Sequence, residues 1–290
     1  MQPSQTDTVV DVAADADPYP DTGFDQRYRP QFHFTPTRNW TNDPNGCVYF
    51  DGEYHLFFQH NPEGVQWGNM TWGHAVSTDL VHWKEIAHAI RPDELGTIFS
   101  GSAAIDWKNT SGFQDGDIPP MVAAYTCAGR HVEPPRPFTQ AIAYSTDRGR
   151  TFTKHVGNPV IPSVTGGTDR DPKILWHEPT QKWVMVLYLT EGEKRLGFLT
   201  SMDLKTWTQV SEVAGFHECP DLFELALDGD AMNTRWVLLG ADAKYLIGHF
   251  DGVKFTTQSG KHLGDHGANF YASQTFNDVP PEDGRRIQIA

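Results

Sequence analysis

The sequence predicts an all-β protein, a five-bladed β-propeller, and three observations lead to that fold class. Short apolar runs of strand length alternate with turns rich in Gly, Pro, Asn and Asp, whereas long amphipathic helical patterns are missing. A degenerate repeat recurs at a spacing that accommodates about four strands. Motifs that carry carboxylates keep a constant position relative to this repeat. Together these features favour blades arranged around a central axis.

The individual strands are predicted from apolar runs bounded by turn residues. The clearest runs are CVYFDGEYHLFFQH (47–60), MVAAYTCAG (121–129), KWVMVLYLT (182–190) and RWVLLGADAKYLIGHFDG (235–252). They are rich in β-branched and aromatic side chains, which pack well on a pleated surface. With 9 Trp, 9 Tyr and 17 Phe, the chain has enough aromatic rings for a β core and for surfaces that stack on sugars.

The repeat consists of a strand, a turn containing Ser and Asp or Asp and Gly, and an aromatic residue that opens the next strand. Ser77, Ser145 and Ser201 of its first three copies are 68 and 56 residues apart, which leaves room for about four strands per unit. Four-stranded units of this kind point to a propeller. The copies are AVSTDLVHWKE (75–85), AYSTDRGRTFTKH (143–155), LTSMDLKTWTQV (199–210) and, more weakly, GHFDGVKFTTQ (248–258).

Three acidic residues share one position relative to the repeat. Asp43 in WTNDPNG, Asp171 in TDRDPK and Glu218 in HECPDLFEL precede the next copy by 34, 30 and 32 residues. Each is therefore predicted to lie where the innermost strand of a blade begins, so that all three meet in one funnel. Taken alone, WTNDPNG is ordinary turn chemistry. Glycoside hydrolysis needs two carboxyl groups about 5–5.5 Å apart for retention or about 6.5–9.5 Å for inversion, and Asp43 with Glu218 is the candidate pair.

The predicted blade starts also divide the chain. Blades are predicted to begin near residues 43, 99, 170, 218 and 270, and the fifth has only about 20 residues before the chain ends. We therefore expect residues 26–290 to form a five-bladed propeller, the candidate catalytic domain, whose last blade is incomplete. Residues 1–25 are acidic and are predicted to be a disordered N-terminal arm.

Composition argues against several classes of partner. The chain has 23 basic and 37 acidic residues and a net charge of −14, which disfavours nucleic acid and anionic membranes and favours a neutral substrate. The 3 cysteines and 13 histidines form no metal-binding pattern, so neither a metal nor another cofactor is predicted. The N-terminus lacks the pattern of a signal peptide. Location, secreted or cytoplasmic, stays open, as does the oligomeric state.

Seven motifs, in this order and spacing, resemble glycoside hydrolase family 32, which comprises the invertases, inulinases and levanases. The resemblance covers residues 28–290 and implies a five-bladed propeller, a retaining mechanism and the release of terminal fructose from sucrose or from inulin- or levan-type fructans, without a cofactor. The family normally continues into outer strands of the fifth blade and a β-sandwich, and we expect neither within these 290 residues. The motifs are WTNDPNG, FFQHNP, WGNMTWGHAVS, FSGSA, RDPK, ECPDLFEL and FYASQTF.

The resemblance also implies a role for each candidate site residue. Asp43 matches the nucleophile that attacks C2 of the fructosyl unit. Glu218 matches the acid/base, and Asp171 matches the carboxylate that holds the fructose hydroxyls and stabilises the transition state. The positions that match the fructose-binding subsite are Asn42, Gln59, Trp67, Phe99, Ser100, Arg170 and Tyr271.

These roles carry two expectations about proton affinity. A nucleophile must be ionised, and hydrogen bonds from Asn42 and neighbouring amides would lower the pKa of Asp43. An acid must keep its proton near the working pH, and crowding by two other carboxylates would raise the pKa of Glu218.

Several residues also have a purely structural interpretation. Trp67, Phe99 and Tyr271 are candidates for core packing, Arg170 for a structural salt bridge, and Cys219 for a small buried thiol. Two other functions stay open for the chain as a whole. One is a fructosyltransferase, in which a sugar hydroxyl replaces water, and the other is an inactive carbohydrate-binding propeller. The choice between sucrose, inulin and levan, and between endo and exo action, stays open too.

Overall fold

The structure is a computed structural model that describes residues 25–290. Its strands form four large antiparallel sheets and one pair of short strands. Three short 3-10 helices, Gly129–His131, Glu178–Thr180 and Pro281–Asp283, lie in connecting loops. The N-terminal arm predicted for residues 1–25 lies outside the described residues apart from Asp25.

The strands of each sheet follow one another in sequence. The first sheet contains β1 (Trp40–Phe50), β2 (Glu53–Asn61), β3 (Thr71–Ser77) and β4 (Lys84–Ile90). The second contains β5 (Thr97–Ile105), β6 (Met121–Ala128), β7 (Thr139–Ser145) and β8 (Thr153–Lys154). The third contains β9 (Arg170–His177), β10 (Lys182–Leu189), β11 (Arg195–Ser201) and β12 (Thr208–Ala214). The fourth contains β13 (Asp221–Leu227), β14 (Asp230–Leu239), β15 (Lys244–Phe250), β16 (Phe255–Thr257) and β17 (His262–Leu263), and the short pair is β18 (Gln274–Thr275) with β19 (Gln288–Ile289).

The first strands of the first three sheets lie side by side at the centre, because β1 packs beside β5 and β5 beside β9. Apolar side chains fill the space between successive sheets. Trp72 meets Tyr125 between the first two sheets, Met185 belongs to the cluster between the second and third, and Phe198 stacks on Phe250 between the third and fourth. This arrangement confirms the predicted all-β propeller, and each of the four large sheets forms one blade.

The sequence repeat corresponds to one recurring turn between the third and fourth strands of a blade. Ser77 Oγ accepts hydrogen bonds from the backbone N–H groups of Asp79 and Leu80 at 3.1 and 2.8 Å. Asp79 Oδ1 accepts two more hydrogen bonds, from the backbone N–H groups of Val81 and His82. The same bonding between Ser and Asp recurs at Ser145 with Asp147 and at Ser201 with Asp203.

The segment 273–278 crosses the centre of the molecule and connects the innermost strands. Gln274 accepts a hydrogen bond from a backbone N–H of β1 and donates to a carbonyl of β5. Asn277 donates to carbonyls of β5 and β9, and Thr275 donates to Asp221 at the start of β13. The segment therefore bonds to all four large sheets.

The heptapeptide WTNDPNG forms the first seven residues of strand β1, so Asp43 lies near the start of this strand and the motif is an irregular strand rather than a turn. Between Thr41 and Pro44 the pairing with β2 shifts by one residue, which is a β-bulge, and a second shift follows Asn45. Gly46 has φ +53°, and a Cβ there would lie 2.4 Å from the ring of Phe57. The residues that suggested a turn instead allow an irregular strand to turn the side chain of Asp43 into the funnel.

Candidate active site

A pocket of about 160 Å³ lies where β1, β5 and β9 begin and where the chain enters β13. It is smaller than the roughly 300–1,000 Å³ of pockets for drug-sized ligands, so it suits a single sugar unit. All ten residues predicted for the site line this pocket, and Trp40, Met70 and Cys219 line it as well. The ten are Asn42, Asp43, Gln59, Trp67, Phe99, Ser100, Arg170, Asp171, Glu218 and Tyr271.

Bulges in three neighbouring inner strands position the polar groups. The bulge in β1 contains Asp43, the one in β5 contains Ser100, and the one in β9 contains Asp171. Gly101 is required beside Ser100, because a Cβ there would lie 2.0 Å from the carbonyl oxygen of Ala124. An extra residue in a strand changes the direction of its side chain, so the three bulges turn these groups toward the pocket.

The carboxylate of Asp43 is held by two donors. Ser100 Oγ donates to Asp43 Oδ2 at 2.6 Å, and the Cys219 thiol lies 3.6 Å from the same oxygen. Burial nevertheless raises the pKa of Asp43, because loss of water outweighs these hydrogen bonds. Asn42, which was expected to lower this pKa, is not among the groups that oppose burial; these are Ser100, Cys219 and a backbone hydrogen bond at Asp43.

Asp171 is buried at 7% exposure with its backbone in the left-handed region, φ +64°. Its Oδ2 accepts a hydrogen bond from the Cys219 backbone N–H at 3.1 Å and lies 3.9 Å from Arg170 Nε. Burial raises the pKa of Asp171 to about 7, against the opposing charge of Arg170. The loop before it is fixed by Asp169, which accepts hydrogen bonds from Thr165 and Thr190.

Glu218 receives donors on both carboxylate oxygens. Arg170 Nη2 donates to Oε1 and the Tyr271 hydroxyl donates to Oε2. Burial would raise the pKa of Glu218, but these donors and the charge of Arg170 hold it below its ordinary value. The expectation that crowding raises this pKa was therefore wrong. Arg170 forms the predicted salt bridge, and it does so with two acids of the pocket.

Cys219 lies between two carboxylates. Its Sγ is 3.6 Å from Asp43 Oδ2 and 3.5 Å from Asp171 Oδ2, and it lines the pocket. Burial and these acids raise the pKa of the thiol well above its usual value, so it stays protonated and donates. Cys219 was predicted to be a small buried thiol, and the structure places it in the lining of the pocket. The backbone at Glu218 and Cys219 is in the left-handed region, with φ +44° and +38°.

Aromatic side chains form the rim of the pocket. Trp67 and Tyr271 are 51% and 42% exposed, so the core-packing interpretation was wrong for both. Phe99 is partly buried and packs edge-on against Trp67 with ring centroids 6.1 Å apart. His131 stacks on Phe99 at 5.4 Å. Such faces and edges suit the apolar face of a sugar ring.

Amide side chains support the floor of the pocket. With its oxygen turned toward Gln59, the buried Asn45 accepts from the backbone N–H and the Nε2 of Gln59, each at 3.2 Å, and donates to Ser100 Oγ at 3.2 Å. Gln59 is 4% exposed and Asn42 is exposed. The chain Gln59–Asn45–Ser100 thus reaches Asp43 through three hydrogen bonds.

Sequence reasoning missed several contributors. Trp40 and Met70 lie inside the quoted motifs WTNDPNG and WGNMTWGHAVS, so the motifs contained the signal, but no chemistry singled them out. His217 and Tyr188 contact the site from outside the pocket lining. His217 is the first residue of the quoted motif HECPDLFEL, and Tyr188 lies in a predicted strand, but neither was singled out.

Within residues 25–290, no group of three or more His, Cys, Asp or Glu is arranged to hold a metal ion. Over the same residues, no helix has the length and apolar character needed to cross a membrane.

An all-β propeller with three acids from three blades in one sugar-sized pocket defines a class of carbohydrate-active proteins, and the comparisons assign the family. The model for the glycosyl hydrolases family 32 N-terminal domain matches residues 33–290. The chain therefore belongs to glycoside hydrolase family 32.

Curated relatives share substantial sequence with the chain. It is 46% identical to a levanase of Bacillus subtilis, with 97% of this chain and 43% of the levanase covered. It is 40% identical to an extracellular exo-inulinase of Aspergillus niger, with 90% and 57% covered. The chain spans about half the length of the curated relatives it matches.

Solved structures agree with the fold. An exo-inulinase from Aspergillus awamori superposes with a TM-score of 0.77 at 38% identity, covering 89% of this chain and 58% of that chain. A β-fructofuranosidase from Schwanniomyces occidentalis, solved in complex with fructosyl-erythritol, superposes with a TM-score of 0.79 at 38% identity, covering 87% and 52%.

Proposed function

We propose that the protein is a retaining glycoside hydrolase that releases terminal fructose from β-fructofuranosides, namely sucrose or inulin- or levan-type fructans. The observation that carries this proposal is the meeting of Asp43, Asp171 and Glu218, from separate parts of the chain, in one small pocket with an aromatic rim. Membership of family 32 supports the substrate class, since the relatives include a levanase and exo-inulinases. The size of the pocket favours one terminal unit at a time, which is exo action.

In the proposed first step, a carboxylate oxygen of Asp43 attacks C2 of the fructosyl unit. The bond from C2 to the leaving oxygen breaks, and the proton of Glu218 passes to that oxygen. Ser100 orients the attacking carboxylate through its 2.6 Å hydrogen bond. The product is a fructosyl ester of Asp43 and a free alcohol, sucrose giving glucose.

In the second step, Glu218 is a carboxylate and takes a proton from water as the water oxygen attacks C2. The bond between C2 and Asp43 breaks, fructose is released, and both acids return to their starting states. Asp171, fixed by Arg170 and the Cys219 backbone, faces the same pocket and is assigned to the fructose hydroxyls and to the positive charge that develops at C2.

The pKa directions add a constraint on the first step. Burial raises the pKa values of Asp43 and Asp171, whereas Arg170 and Tyr271 lower that of Glu218. These shifts oppose the state that the first step needs, a charged Asp43 and a protonated Glu218. Because the acids of the pocket are coupled, a change in the contacts of either one is expected to move the pH profile.

We propose further that residues 26–290 are the catalytic propeller domain and that β18 and β19 belong to a fifth blade. Gln274 and Thr275 pair with Ile289 and Gln288 as the inner strands of a blade would. A parallel bridge between Val48 and Asn277 supports this, because it brings the segment beside the innermost strand of the first blade.

The test separates the two acids. Asp43→Asn and Glu218→Gln are each expected to lower fructose release from sucrose, inulin and levan by about 10²–10⁴-fold. A β-fructofuranoside with a good leaving group needs no acid in the first step, so Glu218→Gln keeps its burst of leaving group and Asp43→Asn does not.

Asp251→Asn, which changes an exposed turn carboxylate, is the control and should match the wild type. Near wild-type turnover by either site variant contradicts the assignment. Oligofructans that dominate over free fructose at high sucrose would assign transfer instead of hydrolysis.

A further inference from the structure

His217 lies directly before Glu218 and contacts it from outside the pocket. Its Nε2 is 3.4 Å from Glu218 Oε2, and its Nδ1 is 3.2 Å from the hydroxyl of Tyr188. The imidazole stands edge-on to the Tyr188 ring, with centroids 5.4 Å apart. One side chain therefore connects a buried phenol of β10 to the acid/base carboxylate.

Tyr188 determines which nitrogen of His217 carries the proton. Burial raises the pKa of Tyr188, so its hydroxyl keeps its proton and can donate to Nδ1. A neutral imidazole that accepts at Nδ1 carries its proton on Nε2, the atom that faces Glu218. Tyr188 is itself fixed, because it pairs with Arg170 across the sheet and the guanidinium lies 5.0 Å over its ring.

Several charged or titratable groups surround the contact between His217 and Glu218. Glu218 and Tyr188 face His217. Around Glu218 lie Arg170 and Tyr271, which donate to it, and the other groups that interact with it electrostatically, which are Asp43, Asp171, Cys219 and Tyr188.

We propose that His217 is a positioning residue for Glu218, held by Tyr188 so that its Nε2–H faces Oε2 and restrains the carboxylate. This inference rests on the proposed function in that Glu218 is taken as the acid/base. When the imidazole is protonated it also places a positive charge beside Glu218, which favours the carboxylate. His217 thus opposes the protonated state that the first step requires and favours the carboxylate that the second step requires.

The first experiment does not depend on catalysis. In protein labelled with ¹³C-glutamate, the side-chain carboxyl resonance of Glu218 is assigned by its loss in Glu218→Gln and is titrated with pH. The charge of His217 is one of the interactions that lower the pKa of Glu218, so His217→Gln is expected to raise the midpoint for Glu218 by roughly half a pH unit. His82→Gln is the control, since His82 pairs with Asp79 at 2.7 Å on the surface of the first blade. A midpoint in His217→Gln equal to that of the control overturns the proposal.

The second experiment separates positioning from folding. On sucrose, the alkaline limb of the kcat/KM profile of His217→Gln should move to higher pH by a similar amount, because the positive charge beside Glu218 is lost. The glutamine amide can still donate a hydrogen bond to Glu218. His217→Phe removes the donor as well and is expected to lower kcat a further ~3- to 10-fold with little change in KM. Equal kcat values for the two variants, or an unmoved alkaline limb in both, contradict the proposal. If the wild type releases no fructose, the proposed function fails, while the carboxyl titration still decides the role of His217.

Discussion

Three site residues have backbone conformations that L-residues rarely adopt. Asp171, Glu218 and Cys219 have φ values of +64°, +44° and +38°. Each such conformation costs on the order of 1–3 kcal/mol and persists only where the surroundings enforce it. Here the enforcing contacts include the bond from the Cys219 backbone N–H to Asp171 and the donors on Glu218. Strain therefore coincides with the residues assigned to the chemistry.

At this scale, the identities of the acids were predictable and their proton affinities were not. Asp43, Asp171 and Glu218 were found from motif position and family resemblance. The directions expected for Asp43 and Glu218 were both wrong, because burial of the first and the Arg170 contact of the second come from chain segments far apart in sequence. A local motif carries no information about desolvation.

Ser100→Ala tests the hydrogen bond on Asp43. The Ser100 hydroxyl lowers the pKa of Asp43 against the effect of burial, so its removal raises that pKa further. Because the nucleophile must be ionised, the acid limb of kcat/KM on sucrose should move to higher pH by about 0.5–1 unit, and kcat/KM at the optimum should fall about 10-fold. Ser259→Ala, at a partly exposed serine outside the pocket lining, should leave both unchanged. An acid limb that stays in place would show that Ser100 does not govern Asp43.

At the scale of elements, strands were predicted better than their irregularities. The runs at 47–60, 121–129 and 182–190 all contain observed strands, since apolar residues bounded by turn residues predict a strand. The bulges that hold Asp43, Ser100 and Asp171 were not predicted, because a bulge depends on the register of the partner strand. For the same reason, the turn-forming residues of WTNDPNG do not by themselves predict an irregular strand.

The first blade contains a histidine pair that should limit stability in acid. His55 and His74, on neighbouring strands β2 and β3, are fully buried with their ring nitrogens 3.0 Å apart. Burial lowers the pKa of His55 to about 4 from an ordinary 6.5, and it lowers that of His74 well below the ordinary value. The unfolded chain therefore binds more protons than the folded chain once the pH falls below 6.5.

Stability should consequently fall as the pH is lowered from 6.5 toward 4, by about 2 kcal/mol at pH 5 from His55 alone. Chemical denaturation at several pH values measures this loss. The double variant His55→Gln/His74→Gln should show a smaller loss of unfolding free energy between pH 7 and 5, whatever its stability at pH 7. His82→Gln should keep the wild-type slope, because His82 is exposed. Parallel slopes for all three proteins would rule out the pair as the acid-sensitive element.

At the scale of the whole molecule, the repeat predicted a propeller, but nothing in it predicted how the centre is held. The repeat marks the turn between the outer strands of a blade, such as the Ser77–Asp79 turn. The hydrogen bonds that hold the centre come from the segment 273–278 and link residues 54 to 227 positions apart. Such pairs leave no periodic trace in the sequence. The motif FYASQTF, which overlaps the central segment, was predicted only as the start of the fifth blade.

The buried ion pair of Lys173 and Asp221 gives the final prediction. Lys173 Nζ lies 3.1 Å from Asp221 Oδ1, the two side chains are 1% and 0% exposed, and Nζ also donates to the Thr275 carbonyl at 2.9 Å. The pair thus joins the third and fourth blades to the central segment. Lys173→Met leaves an uncompensated buried carboxylate, so it should lower the free energy of unfolding by about 3–5 kcal/mol.

The double variant Lys173→Met/Asp221→Asn removes both charges and keeps an oxygen that can accept from the Thr275 N–H, so it should recover part of this loss. Lys108→Met removes the exposed pair with Glu178 and should change the free energy of unfolding by less than about 1 kcal/mol. All four proteins should unfold in one transition by tryptophan fluorescence and by circular dichroism, because the segment couples the blades. A double variant no more stable than Lys173→Met would mean that lost packing, rather than the unpaired charge of Asp221, causes the loss.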